Sequence, residues 1–228
     1  MKHLLFTSLF ALACFLNTSA QKLMIPDNYL GVNAGGGVGV FNTNLNIEYP
    51  FYVTEVKSAA VIFRTFESQR AALHLELGYG EKGGLLFYDR SFFDTDTAGM
   101  AKAEYFVLKS NGLDFSALTH LSFGEGKSKF VINFGPYAYY SFRKALRPME
   151  QTALSREVYP KKDYDFGIKA GIAYSLNLNK NVFELELRYG HGFINVYEKD
   201  LINNALVNQN QVLTVNLLYL RKLKNKNH

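Results

Sequence analysis

His120-Leu121-Ser122 puts an imidazole and a hydroxyl two residues apart, and in a strand such residues share a face. A serine with a base beside it is what a lipid-deacylating barrel needs for nucleophilic chemistry. Against that use, the pair lies next to the turn formers Gly124-Glu125-Gly126-Lys127, and no orienting acid is identifiable in the sequence. His74-Leu75-Glu76 and His191 are further polar positions, for which a hydrogen-bonded histidine in a packed interior is the simpler role. No histidine or acid cluster has the spacing of a metal site. The segment 89–100, DRSFFDTDTAGM, holds three acids but lacks the ligand order of a calcium loop and reads as a solvated loop. The glycines of 31–41, GVNAGGGVGVF, resemble no phosphate loop, because such a loop must join a strand to a helix and no helical pattern follows. Glycine at alternate positions instead lets a sheet pack tightly on one side. The expectation is therefore a protein that is not an enzyme, with no catalytic, cofactor or metal residues to assign.

What would carry these residues is a set of strands. Phe166, Ile168, Ala170, Ile172, Tyr174 and Leu176 alternate with Asp165, Gly167, Lys169, Gly171, Ala173 and Ser175. A period of two over this length is a strand and not a helix. Phe183, Leu185, Leu187 and Tyr189 alternate with Glu184, Glu186, Arg188 and Gly190 in the same way. Leu213, Val215, Leu217 and Tyr219 oppose Thr214 and Asn216 near the end of the chain. Similar segments lie at 30–40, 73–80, 105–123 and 132–141, with a shorter and ambiguous one at 59–66. That makes eight strands.

The connections alternate in length. Long ones fall at 42–58, 81–103, 143–163 and 197–210, and short ones at 67–70, 124–129 and 177–181. Short turns at one end and long loops at the other is the pattern of outer-membrane barrels. The fold class expected is all-β: a closed eight-stranded antiparallel transmembrane β-barrel of up-and-down meander order. Alternation alone does not say which face is inside. Three features favour lipid outside. The strands reach the length of about 9–11 residues that spans a bilayer at a tilt. The charged faces are mixed with Gly, Ala and Ser, which suit a crowded lumen. Tyr79, Phe87, Tyr88, Tyr140, Phe142, Tyr189, Phe193, Tyr197 and Tyr219 recur at strand ends like interfacial girdles. Glu76, Lys169, Glu184, Glu186 and Arg188 would then pair inside a lumen too full for a wide channel.

Composition agrees with a strand-rich exported chain: aromatics are 15%, all Tyr and Phe, with 18 Gly and only 5 Pro. Residues 1–20 read as a signal peptide, with Lys2, an apolar run Leu4–Leu16 and a Thr18-Ser19-Ala20 cleavage site. A lipobox around Cys14 is the alternative, though cleavage there would split the apolar run. Cleavage after Ala20 removes Cys14, the single cysteine, and with it any disulfide or thiolate site. The barrel domain is then 21–221, followed by a basic tail 222–228. The net charge of +5 is modest, and no aromatic-interleaved basic patch argues for nucleic acid.

Four segments, LELGYGEKGGLLFY (75–88), FVINFGPYAYYSF (130–142), YDFGIKAGIAYSL (164–176) and FELELRYGHGFINVY (183–197), resemble in order the PorT-like outer-membrane β-barrel family of Bacteroidetes. The resemblance covers nearly the whole mature chain. It implies an eight-stranded barrel in the cell outer membrane, without a catalytic site or cofactor. It also implies a structural or interaction role in the envelope, with contacts to outer-membrane lipid and to other envelope or secretion proteins. One departure is the C-terminus, which runs past Tyr219 into the basic tail instead of ending on an aromatic residue. Two other readings remain from the residues: a soluble exported barrel binding an apolar ligand, and a lipid-modifying outer-membrane enzyme.

Overall fold

Strands whose two faces differ this sharply in polarity must bury one of them, and pairing side by side until the sheet closes leaves no edge unpaired. The computed structural model describes residues 27–42, 53–67, 70–88, 104–148, 162–195 and 209–224. Residues 1–20, read above as a signal peptide, with Cys14, the acidic segment 89–100 and the last four residues of the chain lie outside them. Eight strands run β1 (Asp27–Asn42), β2 (Thr54–Glu67), β3 (Ala71–Tyr88), β4 (Glu104–Phe123), β5 (Ser128–Pro148), β6 (Tyr164–Leu178), β7 (Asn181–Gly192) and β8 (Gln209–Lys222). Each pairs antiparallel with the next, and β8 returns to β1 with Ala34 opposite Leu217, so the barrel is closed in meander order.

Several strands are longer than expected. β2 starts at Thr54, β3 runs on to Tyr88 and β5 to Pro148, so parts of 42–58, 81–103 and 143–163 read as loop are strand. The apolar row stops at these ends while backbone pairing does not: Glu81 through Tyr88 continue opposite Asn111 to Glu104. β8 likewise takes in Lys222, the first residue assigned to the tail, and Leu223 N–H donates to Asn28 C=O at 2.8 Å. The short connections are tight, with Gly124 and Gly126 at φ 107° and 81°, a conformation other residues rarely adopt.

The barrel is inverted relative to a soluble one. Leu185, Leu187, Val215, Leu217, Ile168 and Ile172 point outward and are 45–67% exposed, while Glu76, Glu184, Glu186 and Arg188 point inward and are buried. The lumen is closed at the short-turn end by an apolar cluster of Tyr29, Ile62, Val182, Leu218 and Leu220. At the long-loop end β3 leans across to β1. A Cβ on Gly84 would stand 2.7 Å from Phe41 N, and one on Gly39 would stand 2.6 Å from Gly83 O, so only glycine allows the two strands this close. Buried Val56 and Leu108 lie beneath that contact.

Candidate functional site

The lumen is the site where chemistry-bearing residues converge, because period-two strands deliver every second side chain to it. On β7, Glu184, Glu186 and Arg188 enter in sequence, and each meets a partner from another wall. Arg188 Nη1 and Nη2 donate to the two oxygens of Glu76 on β3 at 2.6 and 2.8 Å, a fork-to-fork pairing. Arg188 Nη2 also donates to Glu186 Oε2 at 2.6 Å, and Asn133 Nδ2 of β5 donates to Glu186 Oε1 at 2.9 Å. One guanidinium thus serves two carboxylates.

Toward the short turns, Glu184 does not join that group. Arg64 Nη2 of β2 donates to Glu184 Oε1 at 2.7 Å, and Ser175 Oγ of β6 donates to the same oxygen at 3.1 Å. Toward the long loops, Lys82 Nζ donates to Asp165 Oδ2 at 2.7 Å and Tyr137 OH donates to the same oxygen at 2.9 Å. The Lys82 ammonium also lies 4.0 Å from the Tyr137 ring centre and 4.4 Å from that of Tyr139. Lys169 pairs with Asp114 and donates to Ser116 Oγ at 2.7 Å. Four cations therefore meet five carboxylates, each of them matched by geometry. Between the Arg188 and Lys82 groups is a cavity of about 70 Å³ lined by Asn33, Glu76, Asp114, Thr214 and Asn216 among others. These polar side chains share its lining with Val56, Ala60 and Val212, and it has room for a few water molecules.

Of the residues expected to pair inside, Glu76, Glu186 and Arg188 do so together, whereas Glu184 and Lys169 take other partners. Arg64, Lys82, Asp114, Asp165 and Tyr137 were not among the expected pairing residues. Strand alternation already placed Asp165 on the Lys169 face, but its partner on β3 fell in a stretch read as loop.

His120 and Ser122 both face the lumen near the β4–β5 turn and are buried. An acid does stand near the histidine: Glu184 Oε1 is 4.0 Å from His120 Nε2, from a strand 64 residues further along. That oxygen already accepts from Arg64 and Ser175. His120 Nδ1 has no partner, so it accepts no hydrogen bond from Ser122, and Nε2 is the nitrogen turned towards Glu184. His74 packs edge-on against His120, ring centres 5.8 Å apart, and neither of its nitrogens has a partner among the described residues. His191 lies elsewhere, stacked on Tyr189 and within 3.5 Å of Gln211 Nε2. Among the described residues no group of three or more His, Cys, Asp or Glu is arranged to hold a metal ion.

Replacing Tyr137 by phenylalanine keeps the ring beneath Lys82 and deletes only the hydroxyl that Asp165 accepts from. A hydrogen bond to a charged group is worth about 1.5–3 kcal/mol, so Tyr137→Phe is expected to lose that much in urea unfolding from lipid vesicles. An unchanged midpoint would mean the hydroxyl contributes nothing.

No family model matches the chain, and no curated protein matches it. Among solved structures, Ail, the attachment invasion locus protein of Yersinia pestis, is similar in two forms. The complex with the heparin analogue sucrose octasulfate is 9% identical over 86% of this chain and 99% of that one, with a TM-score of 0.41. The other is 10% identical over 87% and 97%, with a TM-score of 0.38. An outer membrane channel from Pseudomonas putida F1 is 9% identical over 90% and 98%, with a TM-score of 0.31. At such identities and scores these likenesses carry no statement about ligands or partners, and the eight-stranded outer-membrane type of barrel rests on the chain's own strand pairing.

Proposed function

We propose that the chain is a non-enzymatic outer-membrane β-barrel, exported by a cleaved signal peptide, with its termini and short turns in the periplasm. The observation that carries this reading is the apolar outer surface around a closed sheet whose charges between the two rims are turned inward. Exposed apolar area of this extent is unfavourable in water and favourable in hydrocarbon, and backbone amides can enter hydrocarbon only when a sheet has no open edge. Fractionation with a heat-modifiability gel tests it. The expected result is an outer-membrane protein whose folded band shifts on boiling; recovery in the soluble periplasm without a shift would sink the reading.

The role within the membrane follows from what the lumen excludes. An apolar cluster at one end and ion pairs across the lumen occupy the space a wide water path would need. In planar bilayers the purified barrel is expected to give no stable conductance steps, and a regular open channel would contradict that. With transport set aside, the long loops become the working surface, since function concentrates on loops held by a rigid scaffold. The resemblance to the PorT-like family makes envelope or secretion proteins the partners of choice. Crosslinking and pulldown from native membranes tests this, and recovery of the barrel alone would count against it. Lipid modification by Ser122 and His120 is the second reading, favoured by the approach of Glu184. It requires that His120→Ala or Ser122→Ala alter the lipid acylation profile.

A further inference from the structure

The two rims of the barrel treat their charges differently. At the long-loop rim three cations are neutralised locally, Lys57 by Glu55 at 3.3 Å, Lys109 by Glu81 at 3.8 Å and Lys144 by Asp163 at 2.7 Å, while Arg143 is exposed there without an ion pair among the described residues. At the short-turn rim four cations are not. Lys127 and Lys180 sit in the β4–β5 and β6–β7 turns, Arg221 lies at the end of β8 and Lys224 two residues beyond it. All four are exposed, and none makes an ion pair among the described residues. Lys222 pairs with Asp27, and Glu125 in the β4–β5 turn and Glu67 at the end of β2 are acids of the same rim.

Immediately above these cations lies an aromatic belt. Strand register sets Phe123 opposite Phe130, Phe130 opposite Tyr174, and Phe183 opposite Tyr219. All point outward and are 37–56% exposed. The Phe183 and Tyr219 rings touch, centres 5.2 Å apart. Aromatic rings in such a row sit at the boundary between hydrocarbon and headgroups. The aliphatic stems of lysine and arginine lie along apolar surface while their charged heads reach into the polar layer. Directly below the belt, that layer is where lipid phosphates are.

We infer that the short-turn rim is a docking surface for the anionic phospholipids of the leaflet it faces. A zwitterionic headgroup cancels its phosphate with its own ammonium and offers these cations little. A net-anionic headgroup such as phosphatidylglycerol leaves the phosphate to the protein. Basic clusters of about four to eight residues at a membrane surface recognise anionic leaflets in this way. The inference rests on the membrane reading above and adds which lipid gathers at which rim.

The test uses the full mature chain refolded into phosphatidylcholine vesicles carrying either spin-labelled phosphatidylglycerol or spin-labelled phosphatidylcholine. Electron paramagnetic resonance then gives the association of each lipid with the barrel. The expected result is a preference of about fivefold or more for phosphatidylglycerol, in line with several attractive charges near the surface, and its loss in high salt. Joint Lys127→Gln, Lys180→Gln, Arg221→Gln and Lys224→Gln substitution should bring the preference close to one. A turn-only variant, Lys127→Gln with Lys180→Gln, should lower it part-way, which guards against misfolding of the fourfold change. Lys109→Gln with Arg143→Gln, at the other rim, should leave it intact. Equal association of both lipids with the wild-type chain overturns the proposal, as does a preference that survives the fourfold change or is lost through the other rim. A heat-modifiability gel on the same vesicles separates the two readings. No folded band means the membrane reading has failed, whereas a folded band without preference removes the lipid proposal alone.

Discussion

Arg188→Ala is expected to destabilise the barrel by about 3–5 kcal/mol, the cost of leaving buried charge uncompensated. The guanidinium is the counter-ion of both Glu76 and Glu186, which are 3% and 0% exposed. Its removal leaves two carboxylates facing each other in a lumen with few waters. Replacement of the whole group tells the contribution of the charges from that of the packing. Glu76→Gln, Glu186→Gln and Arg188→Met together should cost less than Arg188→Ala alone, because no unpaired charge remains. Urea unfolding from lipid vesicles measures both. If the triple variant were as unstable as the single one, shape and not charge balance would dominate the lumen.

Leu187→Arg addresses the opposite face. Leu187 is 45% exposed, between Ile172 of β6 and Val215 of β8, and lies between the aromatic rows at Phe183 and Tyr189. On a lipid-facing surface at mid-depth an arginine costs about 2–4 kcal/mol, falling to about 0–1 kcal/mol near the interfaces. The expected result is a loss in that range for Leu187→Arg and a much smaller one for Tyr219→Arg beside the short-turn rim. In a barrel whose outer face met water, Leu187→Arg would be close to neutral. Equal effects at the two depths would therefore argue against a bilayer around the strands.

How much of this was legible from sequence depended on whether local pattern or distant pairing decided it. Inside and outside were readable on β6, β7 and β8 because their alternation is unbroken. β2 was ambiguous for a structural reason. Arg64 and Thr65 are both buried, Phe66 has φ 52° and faces out, and the β1–β2 register shifts between Asp27 and Tyr29. Period two fails there, and Arg64, the partner of Glu184, was hidden with it. Lys82 was missed because the Gly83-Gly84 pair and neighbouring charges resemble a loop once a strand leaves the apolar layer. Which charges pair across the lumen is set by the stagger of strands around the closed barrel, and nothing local to either residue encodes it. The acid near His120 was out of reach for the same reason.

The cross-lumen ion pairs also have a consequence in time. Arg64–Glu184 and Glu76–Arg188 join residues 120 and 112 positions apart on strands that are not neighbours. Neither pair can form until the sheet has curled and β8 has met β1. They are absent from any transition state that precedes closure, and interactions of that kind act on the rate of leaving the native state. Their loss should therefore speed unfolding and leave the rate of insertion and closure nearly unchanged. The spokes of this barrel act as a latch on a finished structure, so its lifetime in the membrane is governed by residues that played no part in its assembly.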